Sequence, residues 1–200
     1  MANKEIEKNN AVWNEMRVSI RQDFLVTDLL KHPVKAQVYT ALLIEGPAGH
    51  EELADEISSA GRTTVYNTLR ELGEASQINV DKTTEPYQYN ADPVRKEITN
   101  DDGDVAFTAT PAFIAVISAT EVRDDINAFY EQHGVETLAT AYQATIEYLN
   151  GQLSRRMTAD KIGVSTYAAI AITEEIEEVL REMDGYDPYL DDQLTVELND

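Results

Sequence analysis

The sequence predicts a mainly α-helical protein with one short β-hairpin in its first half and an all-α region in its second half. Apolar residues recur at offsets of three, four and seven through most of the 200 residues, which is the spacing of buried helix faces. Strand-like alternation is confined to the neighbouring stretches SQINV and PYQYN. The composition is 42% hydrophobic, enough for a packed core.

The first predicted element is an amphipathic helix over residues 4–30, within an N-terminal segment 1–32. Its apolar stripe recurs every seven residues or lies close to that repeat: Ile6, Trp13, Met16, Ile20 and Phe24. The Lys31-His32-Pro33 break ends the helix, because proline disfavours helical continuation. The stripe has two interpretations: it docks on the protein's own core, or it pairs with a second copy.

Two further helices are predicted before a glycine-containing turn. Pro33 suits the first turn of a helix through VKAQVYTALLIE, which GPAG ends. Its predicted inward residues are Val34, Val38, Ala41, Leu42 and Leu43. A short helix follows in HEELADEISSAG, with Leu53, Ala54 and Ile57 on one side, and Gly61 marks the turn after it.

The stretch GRTTVYNTLREL, residues 61–72, predicts a helix with two contrasting faces. Its apolar face comprises Val65, Thr68, Leu69 and Leu72. Its other face is polar and partly cationic, as expected of a helix that lies on DNA: Arg62, Thr63, Thr64, Tyr66, Asn67 and Arg70. Two short helices joined by such a turn, the second polar on its outer face, form a helix-turn-helix.

The predicted hairpin comes directly after this helix-turn-helix. Its strands surround DKTTE and place Ile78, Val80, Tyr87 and Tyr89 at alternating positions. A hairpin in this place is a wing, so residues 33–96 are predicted to form a winged helix-turn-helix domain. Lys82 is the only basic residue of the wing and joins the candidate DNA-binding residues.

Residues 33–93 resemble the winged-helix domains of archaeal transcriptional regulators of the TrmB and MarR-like kind. The matching stretches are EELADEISSAGRTTVYNTLREL and the hairpin ending PYQYNADP. The resemblance implies that the residues before VYNTLREL open the recognition helix. One departure is EASQIN, where relatives usually have a glycine at the helix end before the first wing strand.

The second half is predicted to begin after the NDDGD turn at 100–104 and to form a helical dimerisation or interaction domain over 97–185. An apolar block around Pro111 precedes predicted helices over 121–132 and 134–153. Residues 157–183 again suggest a helix-turn-helix, but five glutamates on its second helix make DNA reading by it implausible. Residues 186–200 lose clear periodicity and are predicted to form an acidic tail.

The net charge of −21 is unevenly distributed. Residues 1–96 hold 11 Lys/Arg against 15 Asp/Glu, a net −4, whereas residues 97–200 hold 5 against 22, a net −17. Dispersed acidity and scarce lysine favour a protein built for concentrated salt, in which charge repulsion is screened. Because salt also weakens counterion release, binding to DNA then depends on hydrogen bonds and close fit.

The sequence contains no pattern typical of an enzyme, so no catalytic residue, cofactor or metal site is predicted. The three histidines, at 32, 50 and 133, lie in different segments, and cysteine is absent. There is no glycine-rich phosphate cradle, no nucleophilic serine turn, no secretory signal and no apolar run of membrane-spanning length. The absence of cysteine favours a cytoplasmic protein.

Two functional hypotheses remain. In the first, the protein is a transcriptional regulator that binds double-stranded DNA as a homodimer, with no effector pattern recognisable in its sequence. In the second, the winged helix is a protein–protein module in a transcription, replication or segregation assembly. Arg62, Asn67 and Arg70 favour the first, whereas Glu71, Glu74 and the weakly basic wing favour the second.

Overall fold

A computed structural model describes residues 19–57, 59–190 and 192–194. Residues 19–31 are helical and are called α1. The other elements follow in chain order: α2 (Pro33–Glu45), α3 (His50–Glu56), α4 (Arg62–Glu74), β1 (Asn79–Asp81), β2 (Gln88–Asn90), β3 (Lys96–Thr99), β4 (Val105–Ala109), α5 (Pro111–Ala119), α6 (Asp124–Leu149), α7 (Arg155–Ile162) and α8 (Thr166–Glu182). The predicted fold class is confirmed, a mainly helical chain with a hairpin after its helix-turn-helix.

The buried face of α1 differs from the predicted apolar stripe. The helix ends before His32, as the sequence predicts, and it buries Leu25, Val26 and Leu29. The described members of the stripe point away from this face: Ile20 is 47% exposed and Phe24 is 68% exposed. The other members, at positions 6, 13 and 16, lie outside the described residues. The structure therefore leaves an apolar face of α1 in solvent.

Helix α2 is buried on more than one side, and its predicted inward face is only partly right. Val38 and Leu42 are fully buried as predicted, but so are Ala36 and Tyr39, which the pattern did not select. The reason is that α2 packs on α5 on one side and on α3 and α4 on another. A helix enclosed in this way has no single apolar stripe for a sequence pattern to detect.

The helix-turn-helix forms where the sequence predicts it, from α3 and α4. All four residues predicted to face inward from α4 are buried: Val65, Thr68, Leu69 and Leu72. After α4, Ser76 adopts a positive φ of 55° within the EASQIN segment. The chain turns there with hydrogen bonds from Ser76 N to Gly73 O at 3.0 Å and from Gln77 N to Leu72 O at 2.8 Å.

The wing is a two-stranded antiparallel sheet of β1 and β2, in which Val80 pairs with Tyr89. Tyr89 also exchanges two backbone hydrogen bonds with Ala48, at 3.0 and 2.9 Å. The loop before α3 therefore forms an isolated antiparallel bridge to β2. The Tyr39 hydroxyl donates to Asp92 O at 2.8 Å and accepts from Val94 N at 3.1 Å. These contacts fix the base of the wing to α2.

A second antiparallel hairpin, β3 and β4, was not predicted from the sequence. The NDDGD segment, predicted as a turn before the second half, is the turn of this hairpin. The side chain of Asn100 closes the turn by accepting from the backbone N–H groups of Asp102 and Asp104 at 3.1 and 2.9 Å. The strands are four and five residues long and half exposed, so their alternation is too short to stand out.

Helix α5 is the centre of the protein, because all nine of its residues are buried. It contacts α2, α6 and α8. The Asp187 carboxylate, 2% exposed, accepts a hydrogen bond from Ala112 N at 2.8 Å at the beginning of α5. A carboxylate there is stabilised by the helix dipole and by otherwise unpaired N–H groups.

This contact corrects the predicted acidic tail over 186–200. Asp187 and Leu190 are both buried, so the first described residues of that segment pack on the core. The acidic composition of this segment gave no sign that the Asp187 carboxylate binds the beginning of a helix or that Leu190 packs in the core. Residues 195–200 lie outside the described part of the chain.

The remaining helices follow the predicted order. Gly134 interrupts α6 with a φ of +78°, which divides it between the two segments that the sequence predicts as separate helices. Gly163, at φ +81°, ends α7, and the Ser165 side chain caps α8. Helices α7 and α8 form the predicted second helix-turn-helix and pack against α6 and each other.

Three of the glutamates on α8 bind a single arginine. Arg123, from the loop before α6, contacts Glu175, Glu178 and Glu182 at 3.0, 2.5 and 2.7 Å. Burial by itself lowers the pKa of Arg123, but its hydrogen bonds to the Glu178 and Glu175 carboxylates and the charge of Glu182 raise the pKa above its usual value. The acidity of α8 is therefore partly explained by intramolecular pairing.

We expect Arg123→Gln to lower the Tm by roughly 2–6 °C, because three neighbouring carboxylates lose their shared partner. Hydrogen bonds to charged groups contribute about 1.5–3 kcal/mol, which exposure to solvent reduces here. About 1 kcal/mol moves the Tm of a protein of this size by about 2–4 °C. Thermal unfolding followed by circular dichroism measures the change. Arg181→Gln is the matched control, because Arg181 forms its ion pair with Glu177, one turn away within α8, and so joins no separate segments.

The difference between parent and Arg123→Gln should depend on pH. The Arg123 hydrogen bond lowers the pKa of Glu178 below its usual value of 4.5. A group whose folded-state pKa is lowered stabilises the fold above its unfolded pKa and stops doing so as the pH falls through the folded pKa. The Tm difference should thus shrink below about pH 4. A difference that is constant from pH 7 to about pH 3 would contradict this assignment.

Candidate nucleic-acid interface

The outward side of α4 is polar along its whole length. Five of the predicted DNA-binding residues are exposed on it: Arg62, Thr63, Thr64, Tyr66 and Arg70. Asn67, the sixth, is half-buried. The arrangement follows from the helical period, because the four buried residues occupy the opposite side. The helix therefore presents hydroxyl, amide and guanidinium groups in one row.

The first turn of α4 offers backbone donors as well as side chains. Its N-cap is Gly61, which makes no side-chain cap hydrogen bond. Gly61 O accepts from Thr64 N at 2.8 Å and from Val65 N at 3.1 Å, but glycine has no side chain to accept from the N–H groups of Arg62 and Thr63 at the positive end of the helix. Phosphate oxygens are suitable acceptors for such groups.

Both arginines of this face form ion pairs with carboxylates. Arg62 binds Asp55 of α3, and both side chains are about two-thirds exposed. Arg70 Nε lies 3.9 Å from Glu74 Oε1. Exposed pairs of this kind contribute about 0–1 kcal/mol. The arginines can consequently exchange these carboxylates for another anion at small energetic cost.

The tip of the wing is held by its own side chains. Asp81 Oδ1 accepts from the Thr83 hydroxyl at 2.6 Å and from Thr83 N at 2.8 Å. The hydrogen bond from the Thr83 side chain, followed by the one from its backbone, lowers the pKa of Asp81. Lys82 is exposed between these two residues. The wing thus carries one cation next to a fixed carboxylate.

A groove of about 460 Å³ lies between α4 and the wing. It joins three of the predicted residues, Tyr66 and Arg70 from the helix and Lys82 from the wing. The other four, at positions 62, 63, 64 and 67, do not line it. Sequence analysis did not select Tyr87, Tyr89 and His50 as site residues, although the groove includes them. Alternation in PYQYN could have indicated the two tyrosines, since it places Tyr87 and Tyr89 on the same side of the chain.

Local packing sets the width of this groove. A Cβ atom on Gly73 would lie 2.8 Å from a methyl carbon of Val80, so only glycine allows α4 to approach β1 this closely. The His50 and Tyr66 rings meet edge to face with centroids 5.5 Å apart. Helix and wing therefore form one surface whose two sides hold a defined separation.

Among the described residues, no group of three or more His, Asp or Glu side chains could hold a metal ion. No helix in the same part of the chain is long and apolar enough to cross a membrane.

The fold and this surface define a winged helix-turn-helix domain in which the polar side of α4 faces outward. Residues 33–95 match the family described as the sugar-specific transcriptional regulator TrmB. The predicted resemblance is confirmed over this segment, and the match implies a transcriptional regulator with a DNA-binding domain. Residues 120–185 match a family of unknown function, DUF7437. No curated protein and no solved structure matches the chain.

Proposed function

We propose that the protein is a sequence-specific transcriptional regulator that binds double-stranded DNA through α4, as a homodimer in a salt-rich cytoplasm. The observation that carries this proposal is the division of α4 into a fully buried apolar face and an exposed polar face. A recognition helix needs both, because one side must fix it to the domain while the other reaches base edges.

Each exposed group has a role suited to it. Arg62, Thr63 and Thr64 lie near the helix N-terminus, where they can contact phosphates or the first base edges. Asn67 can read adenine and Arg70 can read guanine, each through two hydrogen bonds. Lys82 of the wing can contact the backbone. In concentrated salt such directional contacts retain more of their strength than diffuse attraction does.

Genome-wide crosslinking of the protein to DNA in its own salt-rich cytoplasm tests this function. Sharp peaks that share a sequence motif are expected from a sequence-specific regulator. A second function, a protein–protein module, is favoured by the carboxylates that already pair with Arg62 and Arg70. Crosslinks that follow no motif, together with stable co-purification of other proteins, would support that second function instead.

The proposed homodimer involves α1 and the helices within 134–183. The exposed Ile20 and Phe24 support it, since they continue a seven-residue repeat in the sequence that a second copy of α1 can cover. Residues 97–185 would serve as the dimerisation or interaction domain. In this arrangement two recognition helices are presented to two half-sites.

We expect Phe24→Ser to weaken the dimer by at least tenfold without unfolding the subunit. Phe24 is 68% exposed, so the monomer loses little packing, whereas the interface loses a large aromatic contact. Light scattering in molar KCl should give about twice 22.4 kDa for the parent and a lower mass for the variant. Val122→Ser is the control, because Val122 is 56% exposed and lies outside both α1 and residues 134–183, which supply the proposed interface. A parent mass near 22.4 kDa at micromolar concentrations would refute the dimer.

A further inference from the structure

The groove between α4 and the wing combines three tyrosines with two cationic and two acidic side chains. Three tyrosines line it together with His50, Leu69, Val80 and Pro86. Tyr66 and Tyr87 are 43% and 46% exposed, on the helix side and the wing side respectively, whereas Tyr89 is buried in the floor. Both exposed rings are thus available to a ligand, each with a hydroxyl donor.

The three tyrosines line the same groove. Burial raises the pKa of Tyr89, and the proximity of the Tyr66 and Tyr87 hydroxyls raises it further. Neutral tyrosine hydroxyls can donate to an anion without carrying charge themselves. The groove therefore concentrates hydrogen-bond donors in a protein whose overall charge is −21.

The charges on the rim cancel. Arg70 and Lys82 supply two cations, and Glu74 and Glu85 supply two carboxylates. Arg70 is the partner of Glu74, at 3.9 Å. The groove is consequently far less repulsive to a polyanion than the acid-rich helices of the second half. Glu85 lines the groove on the wing side, where its negative charge opposes an anion.

The position of the groove indicates which anion it would receive. If α4 enters the major groove of DNA, the DNA strand on the wing side of that major groove passes between α4 and the wing. The separation between these elements is already set by the Gly73–Val80 approach and by the Ala48–Tyr89 pairing. A backbone entering here would meet donors that need no large rearrangement.

We propose that this groove binds the sugar–phosphate backbone of one DNA strand, with the Tyr66 and Tyr87 hydroxyls donating to phosphate oxygens between Arg70 and Lys82. The inference rests on the proposed function and deepens it. Hydrogen bonds from neutral donors release no counterions, so they do not add to the loss of affinity with salt. This accounts for DNA binding by an acidic chain that has one cation in its wing.

The test is a fluorescence-anisotropy titration of the full chain, at several KCl concentrations, on two duplexes of equal length. One carries the strongest crosslinking peak and the other a random sequence. Tyr87→Phe keeps the ring and removes the hydroxyl, and we expect it to lower affinity about threefold to tenfold on both duplexes with an unchanged salt slope. Lys82→Gln should reduce the salt slope by about one.

Glu85→Gln provides a gain of affinity that damage to the fold cannot mimic. Removing the carboxylate from the rim should raise affinity about threefold or more on both duplexes. Glu121→Gln is the control, since it makes the same charge change at an exposed site in the loop before α6. If the parent binds its peak sequence and neither Tyr87→Phe nor Glu85→Gln alters affinity, the backbone does not occupy the groove, and the proposed function survives. If the parent binds neither duplex, both proposals fail.

Discussion

Val65→Asp should abolish cooperative unfolding of the winged domain in molar KCl, whereas Thr64→Asp, one residue earlier, should leave it intact. Val65 is fully buried, and a buried unpaired carboxylate costs several kcal/mol in addition to about 1.5–3 kcal/mol of lost apolar burial. That sum is comparable with the whole stability of a small domain, about 5–15 kcal/mol. Thermal melts followed by circular dichroism measure the difference.

Thr64→Asp is the matched control because it adds the same side chain to an exposed position. An aspartate in the first turn of a helix is favourable to the helix dipole, so the Tm should not fall. The same variant should bind DNA poorly, since it places a negative charge where phosphate is expected. A normal melt for Val65→Asp would mean that α4 does not pack on the domain through this face.

Removal of salt should produce the second large effect. The chain has 37 acidic residues against 16 basic ones, and the Debye length grows from about 3 Å at 1 M to about 30 Å at 0.01 M. Dialysis from molar KCl into dilute buffer therefore exposes the fold to repulsion between its carboxylates. We expect the Tm to fall by tens of degrees or the cooperative transition to disappear, measured by circular dichroism.

The control for this experiment replaces KCl by sucrose at equal osmolality. Sucrose is excluded from protein surfaces but does not screen charge. If screening is the cause, another monovalent salt restores the Tm and sucrose restores little of it. An unchanged Tm in dilute buffer would refute the adaptation to concentrated salt.

The local parts of the fold could be predicted from the sequence, because each depends on a pattern within a few turns. The buried face of α4 around Val65 and Leu69 repeats with the helical period, and the wing follows from alternation around Tyr89. The class of domain came from the order of these elements. Arg62 and Arg70 could be placed on the outer face by the same reasoning, although their carboxylate partners could not.

The parts that escaped prediction depend on contacts between distant segments. Asp187 looks like one more acid in an acidic end, and only the fold brings it to the beginning of α5. The β3–β4 hairpin is too short to alternate visibly, and α1 buries Leu25 and Leu29 where the heptad pattern selected Phe24. The groove beside α4 also depends on where the wing lies in space, since only the fold brings Tyr87 and Tyr66 to the same groove.

The central claim, that α4 reads DNA sequence, is tested most directly by titrating Asn67→Ala and Arg70→Ala against the crosslinked duplex at molar potassium. Arg156→Ala and Asn127→Ala are exposed controls on α7 and α6. Each bidentate base contact is worth about 1–3 kcal/mol of discrimination, so each α4 variant should lose about fivefold or more of its preference over the random duplex. Arg62→Ala should weaken both duplexes more evenly. Parent-like preference in both Asn67→Ala and Arg70→Ala would contradict the claim.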